Sequence, residues 1–185
     1  MNKKVVISLF LAFLMISSIA GFIIGFPLSN QDDSRIKYLG YTFVQTPNGY
    51  LTYIGDSQLI ISTDPRQVKL YQNMESLTLQ ELNAGSKIYF TFNPSENIQN
   101  TFSYFNANIR PRLNSFIPAC TKDAPECADL PLITCDNASP SAKVIQVQLA
   151  NPPSISYENN CLLIEGSQYT IEPLFDSLII DLLLY

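Results

Sequence analysis

One run near the start of the chain constrains all the rest. Val5 to Phe26 is 22 consecutive residues without a charged side chain, and Met1-Asn2-Lys3-Lys4 precedes it. As an α-helix such a run reaches about 33 Å, enough to cross the hydrocarbon core of a bilayer. Lysines ahead of an apolar run hold that end on the cytoplasmic side, so the chain beyond the run faces outward. Pro27 and the polar stretch Leu28 to Ser34 end the run. The sequence therefore predicts a cytoplasmic n-region over 1–4, a transmembrane signal anchor over 5–28, a linker over 29–35 and an extracytoplasmic domain over 36–185. The rival outcome is a signal peptide cleaved after Ser18-Ile19-Ala20, which leaves the same domain outside but secreted. Ser17, Gly21 and Gly25 recur at spacing four, the small-residue pattern that lets two membrane helices approach, so self-association through the anchor is an expectation.

An outward-facing domain bears on its cysteines. Cys120, Cys127, Cys135 and Cys161 all lie beyond the anchor, and an even number in an oxidising compartment reads as two disulfides. Four cysteines allow three pairings. We expect Cys120–Cys127 as a local clip and Cys135–Cys161 as a longer staple. A zinc site is disfavoured because the spacings contain no C-x-x-C, and a thioredoxin-like role lacks that motif too.

Composition removes whole classes of chemistry. The chain has no His and no Trp, which excludes Ser–His–Asp triads, Cys–His dyads and histidine-based metal centres. Beyond residue 30, nine Lys and Arg face sixteen Asp and Glu, so the domain is acidic and unsuited to nucleic acid. The glycines are scattered without a phosphate-binding loop, and no serine sits in a G-x-S-x-G setting. No cofactor motif is present. Asn137-Ala138-Ser139 is a glycosylation sequon on an expected surface loop, with Pro140 directly after it. Glu158 and Glu165 flank one expected strand and Asp56 and Asp64 another. Paired carboxylates do hydrolytic work only when they converge in a cleft, and solvated turn carboxylates are the simpler reading.

Periodicity predicts an α+β domain, a mostly antiparallel sheet with two main helices packed on it. Residues 36–71 read as an antiparallel meander, with Asn48-Gly49 and Gly55-Asp56 as turns and Val68 to Tyr71 as a last strand. Tyr38, Tyr41, Tyr50 and Tyr53 fall in its first hairpin. They form either cross-strand packing or an aromatic surface for a protein or glycan. Thr78 to Glu81 has capping-box form and Gly85 a stop, giving a short helix near 78–84. KIYFTF over 87–92 is a strand. Asn93-Pro94-Ser95-Glu96 reads as a helix start, with Ile98, Phe102, Phe105 and Ile109 on one face and Pro111 ending the helix. Residues 111–142 read as irregular and cross-linked. Strands are expected at 144–149, 155–157 and 162–164. From Glu172-Pro173 a final helix runs to about Leu184, with Asp176, Ser177 and Asp181 as its polar face. KIYFTF with its helix and CLLIEG with its helix share a strand–turn–helix plan.

The run Leu130-Pro131-Leu132-Ile133-Thr134-Cys135-Asp136-Asn137-Ala138, then Val144-Ile145, then Asn160 to Gly166 and a Leu-rich closing helix resembles small, uncharacterised single-pass membrane-anchored proteins of archaea. The resemblance spans residues 78–185 and implies no activity, ligand or catalytic residue. Taken together, the sequence points to a non-enzymatic envelope module that binds a protein or a surface polymer. The alternatives are a membrane-tethered hydrolase working with Asp and Glu, or a structural subunit of a surface assembly.

Overall fold

The structure is a computed structural model, and it describes residues 34–68, 77–96 and 98–184. The expected anchor, with Ser17, Gly21 and Gly25, lies outside the described residues, as do residues 69–71 of the expected last meander strand. No helix among the described residues is long and apolar enough to cross a membrane.

Ile36–Tyr185 forms one compact unit. It begins with an antiparallel meander of β1 (Arg35–Tyr38), β2 (Tyr41–Thr46), β3 (Gly49–Ile54) and β4 (Ser57–Ile61) in that order. Tight turns set its register. Leu39 and Gly40 take positive φ of 49° and 80° between β1 and β2, the left-handed pair that two-residue hairpins favour. At the next turn Thr46 pairs with Gly49, so Pro47 and Asn48 form the loop. Gly49 has φ 124°, and a Cβ there would lie 2.3 Å from the Ile61 carbonyl oxygen. Only glycine fits that position.

The short helix α1 (Leu79–Asn83) starts where the capping motif predicts, with the Thr78 hydroxyl accepting from the Glu81 amide at 3.0 Å. Next come β5 (Lys87–Phe92), α2 (Gln99–Asn108), β6 (Ile117–Cys120), β7 (Ala142–Leu149), β8 (Ser154–Glu158), β9 (Cys161–Gly166) and α3 (Ile171–Leu184). These strands make a second sheet in the order β6-β5-β7-β9-β8. Both disulfides form as expected, Cys120–Cys127 and Cys135–Cys161, with Cα–Cα distances of 6.2 and 5.3 Å.

The α+β class holds, but one mostly antiparallel sheet does not describe the chain. Antiparallel pairing fills the meander, whereas in the second sheet β6, β5, β7 and β9 are mutually parallel and only β8 is antiparallel. The reason lies in the connections. A helix after a strand carries the chain back to the strand's starting end, so the next strand runs parallel. Helix α2 does this between β5 and β6, and the Pro-rich stretch 121–141 does it between β6 and β7. Read as irregular, residues 111–142 hid both that crossover role and β6, whose Pro118 is tolerated on an edge strand.

Three layers result. Phe90 of β5 meets Phe105 of α2 at 4.3 Å between ring centroids, and Phe105 meets Phe175 of α3 at 5.8 Å. The two main helices therefore share one face of the second sheet. Phe43, Leu59 and Ile61 of the meander belong to the same buried cluster. They cover the helices' far side, and α3 is buried on every side from Leu174 to Ile180. Such all-round burial overturns the expected solvated face. Asp176 and Ser177 are fully buried. Asp176 accepts from the Ser62 amide at 3.2 Å, the Ser62 hydroxyl at 2.7 Å, the Thr63 amide at 2.7 Å, and the Tyr104 hydroxyl. A carboxylate so supplied with donors is stable out of water. Burial first, then the Asp176 charge, pushes Tyr104 well above its ordinary pKa. Asp176, which reads as part of a polar stripe, is in fact the bolt between α3 and the meander.

Candidate functional site

Sheets with parallel strands offer ligand sites at the carboxyl ends of those strands, where loops diverge. Here that end is built from β5, α2 and the clipped loop after β6. The Asn93 motif predicts a helix start, yet α2 begins only at Gln99, with Ile98 as an uncapped entry. Asn93 instead folds a separate turn. Its Oδ1 accepts from the Ser95 amide at 3.1 Å and its carbonyl from the Glu96 amide at 3.0 Å. Glu96 then reaches sideways rather than back along a helix. One carboxylate oxygen accepts from Asn93 Nδ2 at 3.1 Å, the other from the Leu149 amide at the end of β7 at 2.8 Å. The motif's polar groups are spent on holding this turn against the sheet.

The opposing wall is the disulfide loop. The Thr121 amide donates to the Phe92 carbonyl at 3.0 Å, fixing the loop to the end of β5. Pro125–Cys127 is a single 3-10 turn, and Cys127 is buried by its bond to Cys120. Glu126, next to it, stays exposed.

Between these walls lies a cleft of about 600 Å³. Phe92, Pro94, Ile98 and Phe102 give it an apolar lining. Ser95 and Ser103 add hydroxyls, and Glu96 and Glu126 add carboxylates. Phe92 and Phe102 stand 5.9 Å apart between ring centroids. The size and mixed lining suit a small-molecule site.

The carboxylate pairs singled out in the sequence do not converge. Glu158 pairs with Cys161 and Glu165 with Ser154, at opposite ends of the β8–β9 hairpin, roughly 13 Å apart along the strand. Glu165 accepts from Gln148 Nε2 and the Ser154 hydroxyl. Asp56 and Asp64 lie at opposite ends of β4, and Asp64 pairs with Arg66, whose hydrogen bond holds it below the usual carboxylate range. The tyrosines divide as packing demands: Tyr38, Tyr41 and Tyr50 pack on the core, while Tyr53 is 57% exposed. Asn137 is exposed in the 3-10 turn Cys135–Asn137, where its Oδ1 accepts from the Thr134 amide at 2.8 Å. Glu96 and Glu126, the carboxylates that do share a cleft, are thirty positions apart and carried no sequence signal beyond a helix cap and a place beside a cysteine.

A second polar cluster sits at the amino end of the same strands. Lys143 of β7 is 2% exposed, and its amine donates to Glu81, to Asn160 Oδ1 at 2.8 Å and to the Tyr157 hydroxyl at 3.3 Å. Burial pulls the Lys143 pKa down, but the bonds to Glu81 and Tyr157 outweigh it and leave the amine above its ordinary value. The same contact holds Glu81 below the usual carboxylate range, and burial raises Tyr157. Gly85 makes room for this lysine, since a Cβ there would lie 2.8 Å from Lys143 Cγ. Among the described residues no cluster of three or more His, Cys, Asp or Glu is placed to hold a metal ion.

Comparison of the chain with protein-family models, with curated proteins and with solved structures gives no match. The site is read from its own chemistry.

Proposed function

We propose that the protein is a membrane-anchored, extracytoplasmic binding module of the cell envelope, without enzymatic activity, whose ligand seat is the cleft at the carboxyl end of β5. The cleft carries this reading: apolar and polar groups converge there, between walls held by Glu96 and by the Cys120–Cys127 bond. Two disulfides in a domain preceded by an apolar, charge-free run support an oxidising location. The resemblance to archaeal membrane-anchored proteins agrees with that address. Glycosylation at Asn137, a protein or glycan partner and self-association through Ser17, Gly21 and Gly25 belong to the same proposal.

Glu96 and Glu126 favour one rival, a tethered hydrolase using two carboxylates, since both line the same cleft. Photocrosslinking in intact cells separates the two readings. A photoreactive residue at Ser103 should give a discrete adduct, a membrane-impermeant amine reagent should reach the domain, and Glu96→Gln should change no turnover. Protection from the impermeant reagent contradicts the proposed address. Loss of a measurable glycosidase or esterase activity on Glu96→Gln establishes the rival.

A further inference from the structure

The charge of the cleft narrows what it can take. Among the described residues, its lining includes two carboxylates and no Lys or Arg. Elsewhere in the domain, Asp64 is matched by Arg66 and Glu81 by Lys143. Among the described residues neither Glu96 nor Glu126 forms an ion pair. Among the described residues Glu96 is held by neutral donors, an amide of the backbone and an amide of Asn93, so its negative charge is positioned but not cancelled. The amino end of α2 adds about half a positive charge nearby, less than the two full negative charges it faces. An anionic ligand is repelled from such a site and a cation attracted.

The apolar lining adds the second requirement. Phe92 and Phe102 are half-buried, and their rings, with Ile98 and Pro94, offer surface to a hydrocarbon body. Phenyl faces also attract cations, ammonium groups among them. A bare metal ion would leave that surface unused, and a neutral hydrocarbon would leave the carboxylates unmatched.

We propose that this cleft binds an organic ammonium, a primary or quaternary amine carrying an apolar body, and that the Cys120–Cys127 disulfide acts as a positioning element by holding Glu126 over it. The proposal rests on the cleft being the ligand seat. Among the described residues Glu126 has no fixing bond of the kind Glu96 has in the β7 amide. Its place is set by the 3-10 turn whose next residue, Cys127, is tied to the end of β6. Opening that bond frees the turn and withdraws one of the two charges.

The test uses the full chain in lipid nanodiscs and three probes of one shape: 2-phenylethylammonium, 2-phenylethanol and 3-phenylpropionate, each titrated calorimetrically to about 50 mM. The ammonium should bind about tenfold more tightly than the alcohol, and the propionate more weakly than either. Glu126→Gln, at an exposed side chain, should lower ammonium affinity severalfold and leave the alcohol unchanged. The double variant Cys120→Ser/Cys127→Ser should fall to the level of Glu126→Gln, and adding Glu126→Gln to it should cost nothing more. Equal affinity for all three probes, each lost in a cleft-filling Ser103→Trp variant, overturns the ammonium assignment and keeps the cleft as a site. Binding unaffected by Ser103→Trp, or no binding of any probe, overturns the cleft itself. A calcium titration that displaces the ammonium also contradicts the assignment, since it would make the carboxylates a metal site. Should the cysteine variant fail to fold, Glu126→Gln decides the ammonium assignment, and ammonium affinity of the folded protein before and after mild reduction decides the positioning role, an unchanged affinity after Cys120–Cys127 opens overturning it.

Discussion

The two ends of the parallel strands place similar groups in opposite circumstances. At the amino end, Lys143, Glu81, Tyr157 and Asn160 satisfy one another, and the lysine is closed off from water. At the carboxyl end, Glu96 and Glu126 line an open cleft and meet no cation among the described residues. Matched charges, with the lysine buried and its partner Glu81 only half-buried, contribute to the fold and leave little for a ligand. Unmatched charges beside accessible aromatic surface leave their interaction energy available to a ligand, even where, as at Glu96, the carboxylate also holds a turn. Substitutions at the closed clusters should therefore cost stability, and substitutions at the cleft should cost binding.

Asp176 is the most demanding of the closed positions. Asp176→Ala leaves the Ser62 and Thr63 donors without their acceptor inside the protein, while the Tyr104 hydroxyl keeps the Ile60 carbonyl at 3.1 Å. A loss of about 4 kcal/mol is expected in urea denaturation. A loss under about 1 kcal/mol would show that water reaches this site and that α3 is not sealed.

The disulfides test the same division. They close loops of sequence separation 26 and 7. In the chain-entropy model these are worth about 3.5 and about 2.4 kcal/mol. Removing Cys135–Cys161 should lower stability more, whereas removing Cys120–Cys127 should disturb the cleft more. Denaturation curves of the two Ser/Ser variants, read beside probe titrations, check both halves.

Lys143→Ala should cost about 2 kcal/mol, through the lost stem packing and the lost bonds to Tyr157 and Asn160, with probe binding at the far end unchanged. Glu126→Gln should change stability by less than about 0.5 kcal/mol, as exposed positions do. If the two variants exchange their effects, the contrast between the ends is wrong.

Asp181 gives a small effect that pH alone reveals. It is half-buried on α3, its Oδ2 lacks a hydrogen-bond partner among the described residues, and burial raises its pKa to about 6. In the folded state it thus holds a proton that the unfolded chain releases near 3.8. Stability should fall as pH rises from about 4 to 6, because the folded state binds the extra proton there. Asp181→Asn should flatten that slope and stabilise the protein at pH 7 by about 1 kcal/mol once solvent screening is discounted. Thermal melts at pH 4 and pH 7 measure it.

Much of the fold was legible because it rests on local rules. Turn residues gave the β2–β3 and β3–β4 hairpins, the first with its loop one residue earlier than read, but not the Leu39-Gly40 turn that separates β1 from β2; Thr78 gave α1, and Ile98, Phe105 and Ile109 gave the buried face of α2. Asn159 and Asn160, with φ of 50° and 68°, form the β8–β9 turn where the sequence suggested one. The pairing of the cysteines followed from proximity in sequence. What escaped depends on distant partners. Asp176 reads as polar surface until Ser62 and Tyr104 are brought to it. Asn93 reads as a helix cap until Leu149 captures Glu96. Lys143 sits in a strand of apolar alternation, and only the approach of α1 explains its burial. The cleft joins residues near positions 95 and 126 through a crossover whose direction no local pattern reveals.

The claim that one end of the sheet is open for a ligand and the other closed is tested most directly by soaking crystals of the domain over residues 36–185, produced with both disulfides, in a mixture of small ammonium, alcohol and carboxylate fragments. Density for an ammonium fragment against Phe92, Phe102, Glu96 and Glu126, with none at Lys143, is the expected result. Fragments gathered at Lys143, or a cleft left empty while other surfaces fill, would contradict it.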